Sequence, residues 1–333
     1  MKKYIPRLFL ILLVACNTSN PTFEIKNLNQ NKITVLGHRG MGKNHNYPGN
    51  TFESIYTALN LGADGSEIDV QVTKDSVLVI YHNKDLSSLT NCYGRAIDYN
   101  WADLDGCVYI SDDGTSYTVI TVDELFRRIP DVHNYYFSFD LKLNYGEEDT
   151  SAYLKKFAYA INKVVKDHKM YNKILIETGN LQLHQRLKSD NVQVLQFTTG
   201  SEIDTAIQIA NELDLYGIGI GSSITRKEVE LAHNNGLRVM TWVPKSKWDN
   251  IKAVRKNPDF IQSAKLEHLV QILGHPNPRD SYNNHKDTKE LYIEKKPANA
   301  GSLTQLLTNL LIILNNYFTI FNNRFQFILF RMF

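Results

Sequence analysis

Short β-branched runs alternate with helical patterns from Ile33 to Leu273, nine of these runs read as strands, and two of them stand only five residues apart. Together these observations predict an α/β fold, a TIM (β/α)8 barrel with a hairpin-containing insertion after the second barrel strand. Strands are expected at Ile33 to Gly37, Gly65 to Gln71, Val77 to Tyr81, Tyr135 to Leu143, Lys173 to Glu177, Val192 to Phe197, Leu215 to Ile220, Leu237 to Val243 and Asp259 to Ser263. Helical periodicity fills most of the gaps, at Thr51 to Leu61, Thr150 to His168, Ser201 to Asn211, Thr225 to Asn235 and Ser246 to Lys256. The exception sets the architecture. Val72-Thr73-Lys74-Asp75-Ser76 is too short for a parallel crossover, so the second and third runs must form a hairpin. Eight strands remain for a parallel barrel, and about 240 residues is a usual size for one. The segment from about 77 to 120 becomes the insertion, and a doubly wound open sheet is the alternative arrangement of the same elements.

The ends of the 333-residue chain read differently from this body. Lys2, Lys3 and Arg7 precede the apolar run Leu8 to Val14, too short to span a bilayer, as in a signal peptide covering residues 1–15. Leu13-Val14-Ala15-Cys16 resembles a bacterial lipoprotein box, so Cys16 is the expected lipidation site and 16–32 the expected tether, polar from Asn17 to Thr22. That places the protein outside the cytoplasm, held to a membrane on the periplasmic side or at the cell surface. Of three cysteines, Cys92 and Cys107 remain, and an oxidising compartment favours a disulfide between them. Residues 274–333 form a C-terminal extension, a Pro/Asn/Lys-rich linker followed by an apolar tail that Asn and Arg interrupt too often for a transmembrane helix. A net charge of +2 with no dense Lys/Arg patch argues against nucleic acid as a partner.

Barrel enzymes carry their sites at the carboxyl ends of the strands, and charged residues cluster at those ends here. His38 leaves the first strand, Glu67 and Asp69 lie on the second, Asp140 and Lys142 on the third barrel strand, and His82 follows the hairpin. A spacing of two points each pair to one face of its strand. Three inward carboxylates and a lysine need either mutual ion pairing, Lys142 with Asp140 and Arg39 with Glu67, or a bound cation. An oxygen-only ligand set favours Ca²⁺ or Mg²⁺ over zinc.

His38-Arg39-Gly40, Pro48-Gly49-Asn50-Thr51, Glu67-Ile68-Asp69, His82-Asn83 and Asp140-Leu141-Lys142 occur in an order and at spacings that resemble the glycerophosphodiester phosphodiesterases. The resemblance covers roughly Ile33 to Leu273. It implies a metal-dependent TIM barrel that hydrolyses small glycerophosphodiesters to glycerol 3-phosphate and an alcohol. It further implies His38 and His82 as the acid/base pair, Arg39 as a catalytic and phosphate-binding cation, and a divalent metal, Ca²⁺ or Mg²⁺, on Glu67, Asp69 and Asp140. Lys142 and Trp242 are its implied substrate contacts. The chain departs from the family pattern at Gly49, where a glutamate is usual, at Asn83 for aspartate, and at Asp140 for glutamate.

Two other functions compete: a phospholipase C- or D-like barrel acting on intact phospholipid, and a non-catalytic lipoprotein that binds phosphodiesters or glycans. His45 reads as a surface residue of a polar loop, and His133, His168, His184, His233 and His268 as structural or surface groups. Gly217, Gly219 and Gly221 alternate along a strand and do not open a helix, which excludes a dinucleotide fingerprint.

Overall fold

Eight parallel strands close on themselves in the computed structural model, which describes residues 21–42, 47–110, 114–145, 149–200 and 202–275. All of these belong to the first of the chain's two compact units, residues 1–284. The signal peptide, Cys16, His45 and most of the C-terminal extension lie outside the described residues. In chain order the elements begin with β1 (Thr34–His38), α1 (Phe52–Asn60), β2 (Gly65–Val72) and β3 (Leu78–Ile80). The insertion follows, with α2 (Trp101–Leu104), β4 (Val108–Ile110) and β5 (Ser116–Thr118), and then α3 (Val122–Arg128) leads to β6 (Tyr136–Leu141). The remainder is α4 (Thr150–Asp167), β7 (Ile174–Thr178), α5 (Leu181–Ser189), β8 (Leu195–Thr199), α6 (Ile203–Glu212) and β9 (Gly217–Gly221). It ends with α7 (Arg226–Asn234), β10 (Arg238–Trp242), α8 (Lys247–Val254), β11 (Phe260–Ser263) and α9 (Leu266–Ile272).

The strand order β1, β11, β10, β9, β8, β7, β6, β2 returns to β1 through the β1–β2 pairing, which is a TIM barrel. β3 pairs antiparallel with β2, through Val70 with Ile80 and Val72 with Leu78, and bridges to Thr121 from Val79, so the expected hairpin forms outside the barrel count. The barrel interior is filled by Leu36, Leu175, Phe197, Met240 and Phe260, and larger apolar clusters lie between the strands and the helical ring. Side-chain caps punctuate the helices. Thr51 Oγ1 accepts from Ser54 N at 3.2 Å to open α1, and Thr225 with Glu228 forms a capping box on α7.

The insertion has a small core of its own, Leu86, Ala96, Leu104, Cys107, Tyr109 and Val119, joined to Val79 and Tyr81. Cys92 and Cys107 are disulfide-bonded across it, with Cα atoms 5.7 Å apart. Most strand ends fall within a residue or two of expectation. β8 starts at Leu195 rather than Val192, because Val192 N is taken by Leu187 O in the turn closing α5. Part of the stretch expected as a tether packs on the barrel. Phe23 and Ile25 pack on the core under α9, while Leu28 N donates to Asp259 Oδ1 at 2.8 Å, so this stretch belongs to the barrel's N-terminal cover.

Candidate active site

The first strand delivers its residues through a tight turn. Arg39 takes a φ of +55° and Gly40 one of +83°, and a Cβ on Gly40 would stand 2.4 Å from the Ser54 carbonyl carbon, so only glycine fits against the start of α1. The turn is pinned by side chains: Arg39 N donates to Glu67 Oε2 at 2.8 Å, Gly40 N to Ser66 Oγ at 3.0 Å and Met41 N to Ser54 Oγ at 2.9 Å. His38 is thereby held with Nε2 3.9 Å from Glu67 Oε2.

Glu67, Asp69 and Asp140 converge, with one oxygen of each within 4.8 Å of the others. Asp69 is the most heavily partnered. Arg39 Nε lies 2.9 Å from its Oδ2, Asn50 Nδ2 donates to the same oxygen at 2.6 Å, and Lys142 Nζ lies 3.0 Å from its Oδ1. Lys142 also pairs with Asp140 Oδ2 at 2.5 Å. The expected pairing of Arg39 with Glu67 is therefore corrected: the guanidinium goes to Asp69, and only the Arg39 backbone reaches Glu67. Gly49 bears on this. A Cβ there would come within 2.9 Å of Arg39 Cβ, so the missing side chain leaves room for arginine to fold in against Asp69.

Electrostatics separates the carboxyl groups. Burial pushes Glu67 well above its ordinary range, and the neighbouring charges of Asp69, Asp140 and Glu177 push it further. Burial would raise Asp69 too, but Lys142, Arg39 and the Asn50 amide outweigh it and hold that carboxyl low. Lys142 keeps its proton more tightly than usual, since the attraction of Asp69 and Asp140 exceeds the cost of its burial. Glu67 Oε1 is buried and accepts no hydrogen bond among the described residues. An orphaned carboxylate oxygen on a residue clustered with two other carboxylates suits a hard divalent cation, so the residues present fit the metal that the resemblance implies.

The second histidine arrives on the segment after β3. Tyr81 N donates to Asp69 O at 3.0 Å, and buried Gln71 donates from Nε2 to Tyr81 O at 2.8 Å and to Asn83 O at 2.7 Å. Gln71 Oε1 accepts from Asn144 Nδ2 at 3.0 Å, tying the segment to the loop after β6. His82 Nδ1 meets Asn83 Oδ1 at 2.6 Å, so the Nδ1–H tautomer leaves Nε2 as an acceptor. Asparagine thus orients this imidazole through its oxygen, as the usual aspartate would, without the negative charge.

The structure brings together His38, Arg39, Glu67, Asp69, His82, Asp140 and Lys142; Lys142 follows β6 rather than lying within it. Trp242 stands at the end of β10, its ring over β9, where a Cβ on Gly219 would lie 2.9 Å from Trp242 Cζ3. His168, His184 and His233 have structural partners in Asp123, Gln196 and Asp259. Four residues escaped the sequence reading: Asn50 as a partner of Asp69, Ser66, Gln71 and Glu177. Gln71 continues the alternation Glu67, Asp69, Gln71, and Glu177 follows the apolar run Ile174-Leu175-Ile176 near the end of its strand. Burial, then the Asp140 charge, raises Glu177 to about 8, against hydrogen bonds from Ser138 and Gln262.

Cations able to hold an anion stand beside carboxylates able to hold a cation, with two imidazoles at the edge. On a TIM barrel that combination defines a hydrolase of phosphoric diesters. The sequence model of the Glycerophosphoryl diester phosphodiesterase family matches residues 38–261, and the chain belongs to that family. A glycerophosphodiester phosphodiesterase of Caldanaerobacter subterraneus subsp. tengcongensis is 24% identical over 73% of this chain and 98% of its own length. One from Bacillus subtilis is 25% identical over 63% of this chain and 76% of its own. Among solved structures, the fold is similar to an Oleispira antarctica phosphodiesterase in complex with the product sn-glycerol-3-phosphate, at 21% identity and a TM-score of 0.63 over 72% of this chain and 96% of that one.

Proposed function

We propose that the enzyme hydrolyses small glycerophosphodiesters to glycerol 3-phosphate and an alcohol, with a divalent cation, Ca²⁺ or Mg²⁺, held by Glu67, Asp69 and Asp140 and with His82 and His38 as base and acid. The observation that carries this reading is the convergence of Glu67, Asp69 and Asp140, whose buried Glu67 also has an oxygen, Oε1, without a hydrogen-bond partner among the described residues. When bound, the cation supplies Lewis-acid stabilisation of charge on the phosphoryl oxygens. Arg39 and Lys142 add fixed positive charge at the same place. His82, with Nδ1 donating to Asn83, takes a proton of the attacking water on Nε2 as the new P–O bond forms. His38, with Nε2 3.9 Å from Glu67 Oε2, gives a proton to the leaving alkoxide as the old P–O bond breaks.

The test is release of glycerol 3-phosphate from glycerophosphocholine and glycerophosphoethanolamine. Chelator should abolish it, and His38→Ala or His82→Ala should each cost about 10²-fold or more in kcat. Full activity in either variant would refute the assignment of that histidine. The lipid anchor at Cys16 belongs to this reading on the strength of its sequence context. Metabolic labelling with a fatty acid should mark the wild-type protein and not Cys16→Ser.

A further inference from the structure

Asp69, Asp140 and Glu177 are consecutive register partners on β2, β6 and β7, so three carboxyl-bearing side chains point to the same face at one level of three adjacent strands. Neighbouring strands lie about 4.8 Å apart, which puts Glu177 next in line after Asp140. Its carboxyl is fixed through one oxygen only: Oε1 accepts from Ser138 Oγ at 2.5 Å and also from Gln262 Nε2. The residue is 95% buried on a relative exposure of 5%, yet it stands in a strand whose other inward position, Leu175, belongs to the apolar barrel interior.

Charge counting gives this placement a meaning. Fully ionised, as they would be around a bound cation, Glu67, Asp69, Asp140 and Glu177 carry four negative charges against the two positive charges of Arg39 and Lys142. Two negative charges are left over, the charge that one divalent cation neutralises. A buried carboxyl with no cationic partner of its own is costly unless another charge offsets it.

We propose that Glu177 is a positioning residue of the cation site: from outside the ligand set of Glu67, Asp69 and Asp140, it supplies the fourth negative charge that sets the affinity for the divalent ion. This rests on the cation reading above and adds to it a residue that the family motifs do not contain. Ser138 and Gln262 hold the carboxyl from below, so the charge stays at the β7 position beside Asp140 instead of swinging in to displace a ligand.

Glu177→Gln separates charge from structure, because the amide oxygen can take both hydrogen bonds of Oε1 while the charge disappears. Calorimetric titration of calcium chloride into chelator-stripped protein is the test, with thermal unfolding to verify that each variant is folded. Glu177→Gln should bind calcium at least about tenfold more weakly than wild type. Glu177→Asp, which keeps the charge, should recover most of that loss, and Ser138→Ala, which removes one hydrogen bond but no charge, should remain within about threefold. Wild-type affinity in Glu177→Gln would overturn the proposal, as would an equal loss in Ser138→Ala, which would mean that packing sets the affinity. If wild type binds no calcium or magnesium, the cation reading fails with it; if wild type binds and Glu177→Gln matches it, only this proposal falls.

Discussion

Glu67 is the residue through which the site's two tasks meet. One oxygen fastens the turn after β1 through Arg39 N and stands 3.9 Å from His38, while the other is buried without a hydrogen-bond donor. The cost of such a group appears in the acidity of the cluster. Glu67 and Glu177 are raised by burial and by one another's neighbours, Glu177 from 4.5 to about 8. A carboxyl whose folded pKa is raised stabilises the protein fully below its unfolded pKa and loses that contribution as pH rises through the folded value. Cation-free protein should therefore lose Tm between about pH 5 and pH 8, and Glu177→Gln should flatten that decline. Parallel melting curves of the two proteins across that range check it, and an equal slope in both would contradict it. The residue scale also shows what sequence can reveal. Asp140 stands out through its spacing of two with Lys142, and Glu177, followed by Thr178 and Gly179, lacks that partner. Asn50 does not stand out either, since its bond to Asp69 depends on a φ of +69° that its sequence neighbours do not announce.

Elements position these residues more firmly than any single contact. The five-residue link between β2 and β3 forces an antiparallel return, and the return carries His82 back beside Asp69. That argument was available from the sequence, and it fixed the strand count of the barrel. The bracing was not: Gln71 looks like an ordinary strand polar residue until the fold places Tyr81 O, Asn83 O and Asn144 around it. Gln71→Leu would leave those carbonyl groups without their donor, at about 1–3 kcal/mol each, and release the histidine segment. The expected outcome is a folded protein with at least about tenfold lower kcat and nearly unchanged calcium affinity. Affinity that falls as much as kcat would instead place Gln71 in the cation site. The insertion adds a second brace, the disulfide closing a separation of 15 residues, whose reduction should cost about 3 kcal/mol in unfolding free energy. Helix α5 and the start of β8 were less legible, because Leu181 to Ser189 is short and mostly polar and the turn at Val192 is made by backbone bonds.

At the scale of the whole barrel, the interior is apolar below and acidic above. Leu36, Leu175, Phe197, Met240 and Phe260 fill the lower layer, and the carboxylates gather over one side, on the adjacent strands β2, β6 and β7. This asymmetry makes the folded state a receptor for positive charge, so binding a divalent ion should stabilise it, by about 2.7 kcal/mol at a hundredfold excess over Kd. Membership of the family gives the reaction class. The departures at Gly49, Asn83 and Asp140 are met locally by an inward Arg39, by an amide oxygen on His82 and by Lys142 bridging Asp69 with Asp140. The most direct test of the account is an anomalous-difference map from crystals soaked in manganese chloride. The account predicts one strong peak about 2.0–2.6 Å from an oxygen of each of Glu67, Asp69 and Asp140. No peak there in crystals of an active enzyme, or one held by other residues, would contradict it.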